Sequence, residues 1–152
     1  ERLAQRGDST YLKLPTPLRD KNILDYSFSG LKTAFYYQIK NWPKSKINVH
    51  LADLAASFQS AVFDTLLRKY ALAIEKFHPA CLLVSGGVAA NLTLRKNIRT
   101  LAKKYQLPLY LPFKKELNTD NAAMIALAGF YQSQRGESTD PQNLDVNPRA
   151  EL

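Results

Sequence analysis

From residue 51 onward the apolar positions fall mostly at three- and four-residue steps: Leu51, Leu54, Ala55, Phe58, Ala61, Val62, Leu66, Tyr70 and Ala73. That spacing predicts one long helix over residues 48–77, with a single stripe for packing. The next run, Ala80-Cys81-Leu82-Leu83-Val84-Ser85, is continuous rather than periodic and predicts a strand buried on both faces. Gly86-Gly87 breaks it, a helical pattern occupies residues 90–104, and a second strand is predicted over 107–111, stopped by Pro112. Strand, helix, strand at this spacing predicts a right-handed crossover and a parallel sheet. Ligands of such sheets collect beyond the carboxyl ends of the strands.

Two short runs ahead of the long helix, residues 11–14 and 23–28, are strand candidates that could form a small antiparallel pair. Ser27 or Ser29 is placed to cap a helix over 31–40, which Asn41-Trp42-Pro43 ends because proline disfavours helix in the residue before it. A last helix is predicted over 121–134, ending near Gly136, and residues 137–152 read as a polar tail. The chain divides into a hairpin-and-helix subregion, 1–47, an α/β unit, 48–136, and that tail. There is no internal repeat.

Composition narrows the class. The 152 residues are 45% hydrophobic and 22% charged, and no apolar stretch approaches the roughly 20 residues of a membrane-spanning helix. The expectation is one soluble, cytoplasmic domain. The first residues carry no initiator methionine and no signal-peptide core, as in a chain entered mid-helix. The single cysteine, Cys81, excludes an intrachain disulfide, fits a reducing compartment, and reads as a buried small hydrophobe rather than a nucleophile. A net charge of +8 favours a polyanion such as nucleic acid, although the cations are spread among several helices.

Three stretches could carry chemistry. "VSGGVAAN" at 84–91 is a strand, a glycine turn and a helix start; backbone N–H groups there can meet a phosphate, though glycines used for turn geometry alone explain the pattern equally. Asn91, one turn into the helix, offers a paired donor and acceptor for a base edge or sugar, or is simply an exposed polar residue. Asp120, ahead of an alanine-rich run, is either the cap of the last helix or a ligand presented by its start. Ser29-Gly30-Leu31-Lys32 matches S-x-x-K but lacks the companion motifs of acyl-serine enzymes. The zinc-protease helix motif is absent, and His50 and His78 are too far apart for adjacent turns.

Taken in order, "LDYSFSGLKTA" at 24–34, "SGGVAANLTLR" at 85–95, "TDNAAMIALAG" at 119–129 and "NPR" at 147–149 resemble the tRNA threonylcarbamoyl transferase family of the bacterial TsaD type, formerly known as sialoglycoprotease or Gcp. The resemblance implies the C-terminal lobe of an actin-like ATPase fold, as in sugar kinases and Hsp70. Residues 1–47 would join a missing N-terminal lobe and 48–136 would be the nucleotide-binding lobe. It implies transfer of a threonylcarbamoyl group from threonylcarbamoyl-adenylate to N6 of adenosine 37 in tRNAs reading codons that begin with A. Asn91 would contact the nucleotide, Ser85, Gly86 and Gly87 would line its phosphate, and Asp120 would bind a divalent metal, iron or zinc. TsaB- and TsaE-type proteins would be partners. The family's other metal ligands, two histidines one turn apart in the N-terminal lobe, match neither His50 nor His78, and Asn118 stands where members often have cysteine. The chain alone is therefore expected to be inactive. A non-catalytic nucleotide- or tRNA-binding scaffold is the alternative, and the older endopeptidase name has little support in the residues.

Overall fold

The longest apolar stripe becomes the longest helix. In the computed structural model, which describes residues 1–16, 18 and 23–145, helix α3 runs Leu51–Phe77. It follows α1, Ser29–Ile39, and a six-residue helix α2, Lys44–Val49, which Pro43 introduces and the apolar spacing did not separate from α3. His78 closes α3 in the left-handed conformation, its N–H donating to the Ile74 carbonyl at 2.9 Å, and Pro79 prevents continuation.

Strands β1, Leu82–Leu83, and β2, Leu109–Tyr110, pair in parallel with Leu82 opposite Leu109, and helix α4, Leu92–Lys104, connects them. The parallel crossover is as expected. The double-sided burial is not. Leu82, Val84, Leu109 and Leu111 turn inward with α3 and α4, joining Phe63, Ile74, Leu94 and Ile98 in two adjoining apolar clusters. Leu83 is 74% exposed and Tyr110, its partner in register, is also exposed, because both helices pack on the same side of the sheet. Each large side chain enclosed by this core contributes about 1.5–3 kcal/mol.

The expected antiparallel pair ahead of α3 does not form among the described residues. Its backbone groups turn instead to polar side chains of the helices. The Leu12 N–H donates to Ser57 Oγ at 3.0 Å, the Lys13 carbonyl accepts from Gln38 Nε2 at 3.2 Å, and the Ile23 carbonyl accepts from the buried Lys69 ammonium. Gly7 lies so close to α3 that a Cβ there would sit 2.1 Å from the Ala52 carbonyl oxygen. Neither Ser27 nor Ser29 caps α1; Phe28 occupies the cap position without a side-chain bond.

Helix α5, Ala122–Gln134, ends at Gly136, whose φ of 75° and N–H bond to the Ser133 carbonyl form a glycine stop. All of α5 is exposed. Beyond it only a short turn, Pro141–Asn143, capped by Asp140, is described. The NPR stretch at 147–149 lies outside the described residues.

Candidate functional site

Strand β1 delivers the glycine loop. Its pairing extends one residue past Leu83, where the buried Val84 N–H reaches the Tyr110 carbonyl at 3.1 Å, and Ser85 then emerges exposed. Gly86 has φ 91° and ψ 165°, a conformation essentially reserved for glycine. Gly87 is different: its φ is not positive and a Cβ would meet nothing within 4 Å. The chain's own fold does not require glycine there. A tight turn, Gly87–Ala90, follows, and its Ala89 and Ala90 are buried. Among the described residues the N–H groups of Gly87 and Val88 donate to no protein acceptor.

Asn91 is the N-cap of α4 rather than a residue one turn in. Its Oδ1 accepts from the Thr93 and Leu94 N–H groups at 2.9 and 3.2 Å, and its Nδ2 donates to Gln59 Oε1 of α3 at 3.0 Å. One amide hydrogen remains. An anion already stands at this helix start, for the Glu1 carboxylate accepts the Leu92 N–H at 2.9 Å, as orphan amides and the helix dipole favour.

The second motif lies close by. The turn Gly87–Ala90 packs against the turn Lys115–Asn118, which leads into Asp120. The two stretches singled out in the sequence therefore meet at the carboxyl ends of the parallel strands. Here the cap reading of Asp120 fails. Asn121 caps α5, accepting the Met124 N–H at 3.1 Å and donating through Nδ2 to the Thr119 carbonyl at 2.9 Å. With an Asn in the cap position, the carboxylate one residue earlier has no backbone N–H to accept. Asp120 is exposed and makes no hydrogen bond or ion pair among the described residues. Asn118 is buried and donates to the Lys114 carbonyl at 3.2 Å.

Asp120 can give a metal one carboxylate oxygen. Among the described residues no three His, Cys, Asp or Glu side chains converge, so the present donors do not form a complete metal site. His50 stacks on Tyr11, ring centroids 4.5 Å apart, with Nδ1 3.1 Å from Asp53 Oδ2. Hydrogen bonds from the Thr10 backbone and hydroxyl hold the Asp8 carboxyl below its ordinary value, and the Asp8 N–H and then His50 do the same for Asp53. This cluster ties the first residues to α3 and is structural. His78 is a helix stop, and Ser29 starts α1 while Lys32 lines an apolar groove on its flank.

Comparison with known proteins agrees with the motifs. The family model described as "TsaD: tRNA N6-adenosine threonylcarbamoyltransferase" matches residues 1–127. Similar relatives with that name come from Thermosipho africanus, 40% identical over 152 residues, 100% of this chain and 45% of the relative. The relative from Moorella thermoacetica is 39% identical over 148 residues, 97% of this chain and 43% of the relative. That from Dictyoglomus turgidum is 43% identical over 125 residues, 82% and 37% respectively. The chain thus spans less than half the length of these curated relatives.

Proposed function

We propose, from a chain that belongs to the TsaD family, that it is the nucleotide-holding lobe of a tRNA N6-adenosine threonylcarbamoyltransferase with an actin-like fold. The observation that carries the reading is the meeting of the glycine loop and the Asp120 loop at the carboxyl ends of β1 and β2. In the reaction, N6 of adenosine 37 attacks the carbamoyl carbon of threonylcarbamoyl-adenylate. The bond from that carbon to the phosphate oxygen breaks, AMP leaves, and the N6 proton departs. In this reading the Gly87 and Val88 N–H groups, which have no protein acceptor among the described residues, hold charge on the leaving phosphate, the open space at Gly87 lets it approach the backbone, and the remaining Asn91 amide hydrogen serves the nucleoside. Asp120 supplies one ligand to an iron or zinc ion, which would add Lewis-acid chemistry when bound. The remaining ligands come from elsewhere in the longer protein. tRNA, an N-terminal lobe and TsaB- and TsaE-type proteins are the partners, in the cytoplasm.

Calorimetric titration with AMP tests the nucleotide assignment, comparing wild type with Asn91→Asp. Aspartate still caps α4 but lacks the amide donor and repels phosphate, so affinity should fall by about tenfold or more with the unfolding midpoint preserved. Equal affinities would sink the assignment. Absence of binding by both would favour the scaffold reading. Incubated with tRNA and threonylcarbamoyl-adenylate, the chain alone should form no threonylcarbamoyladenosine, since its donors do not complete the metal site.

A further inference from the structure

A cavity on the flank of α4 has no part in the nucleotide reading. It measures about 530 Å³ and is lined by Arg95, Arg99 and Lys103 over an apolar wall that includes Leu109 and Phe113. Among the described residues no acidic side chain lines it. The three cations recur every four residues and so share one helix face over about 12 Å, longer than one phosphate needs and enough to follow successive phosphates of a strand. Arg99 and Lys103 form no salt bridge among the described residues. Arg95 is only 7% exposed; its guanidinium donates to the Pro112 carbonyl, while its Nε has no acceptor among the described residues. A buried charged donor left unmatched in a cavity of positive groups calls for an anionic oxygen. At the mouth Phe113 is 83% exposed with the Lys114 ammonium 5.8 Å from its ring centroid. An uncovered ring beside cations is the pairing that stacks a base while holding its phosphate.

We propose that this flank of α4 binds a single-stranded segment of RNA, with phosphates along Arg95, Arg99 and Lys103 and a base on Phe113. Only the expectation that the RNA is tRNA rests on the proposed function. The phosphate-and-base chemistry stands without it.

Fluorescence anisotropy of labelled tRNA and of a labelled unstructured oligoribonucleotide, with the 152-residue chain, tests the surface. Arg99→Glu/Lys103→Glu and Phe113→Ala alter exposed side chains, and circular dichroism checks that each still folds. The double charge reversal should weaken both RNAs at least tenfold and flatten the log–log salt dependence by about 1.4, two single-strand contacts. Phe113→Ala should weaken the oligoribonucleotide about fivefold or more. Lys44→Glu/Lys46→Glu, on α2, should have the smaller effect. RNA binding absent from folded wild type even at low salt, or equal losses from the α2 pair, would overturn the proposal. So would retention of wild-type RNA affinity by the α4 pair, including the case in which that pair loses only free AMP.

Discussion

Helices α4 and α5 are each 13 residues long, and each is capped by an asparagine whose Oδ1 accepts backbone N–H, two groups in α4 and one in α5. Their fates differ. Helix α4 buries Leu94, Arg95, Ile98 and Ala102 along one face and sends Lys96, Lys103 and Lys104 to water. Helix α5 is the more apolar of the two, yet Met124, Ile125, Leu127 and Phe130 are all exposed. Burial follows the match between a stripe and a partner surface, not apolar content. A helix apolar all round belongs where it is enclosed on several sides. The uncovered Leu83 and Tyr110 show the same deficit on the outer face of the sheet.

The sharpest way to break this contrast is to truncate one isoleucine in each helix. Ile98 is 1% exposed between α3 and the sheet, so Ile98→Ala should cost about 3 kcal/mol in urea unfolding, the transfer of the lost carbons plus the cavity left behind. Ile125 is 75% exposed, and Ile125→Ala should lie within about 0.5 kcal/mol of wild type. Similar losses at both positions would mean that α5 is packed in solution.

Much of the frame was legible. The 3.6-residue stripe located α3, and the strand-helix-strand punctuation located β1, α4 and β2 with their parallel pairing. What could not be read was which side of an element finds cover. The run 80–85 looks buried on both faces because its residues are apolar, but only the alternation of contacts with α3 and α4 reveals that Leu83 points away. The run 11–14 looked like a strand because its local pattern says nothing of a distant Ser57 that takes the Leu12 N–H. At the site, the residue types were legible and their division of labour was not. Two consecutive residues, Asp120 and Asn121, both suit a cap, and only the backbone geometry of Asn121, φ −151° and ψ 151°, decides between them. The unpartnered Arg95 Nε had no signal in the sequence at all.

The caps sharpen the comparison at smaller magnitude. Asn91→Ala removes two cap bonds and the link to Gln59 and should destabilise by about 1.5–2 kcal/mol. Asn121→Ala removes one cap bond from an exposed helix and should cost about 0.5 kcal/mol globally. Its loss should be seen mainly as faster hydrogen exchange at the first amides of α5, because that helix can fray without opening the core. Equal global costs would show α5 to be cooperative with the rest of the chain.

The smallest effect concerns Asp120. If Asn121 alone caps α5, Asp120→Asn removes no hydrogen bond from this chain, and only the long-range attraction between a carboxylate and the helix start is lost. The change in unfolding free energy should be under about 0.5 kcal/mol and should shrink as salt is added. Protection of the Met124 amide should be unaffected, since its acceptor is Asn121 Oδ1. A loss of Met124 protection in Asp120→Asn, with Asn121→Ala silent, would return the cap to Asp120. The expected result leaves an exposed carboxylate, two residues past the turn that packs against Gly87–Ala90, with no structural task within the described residues.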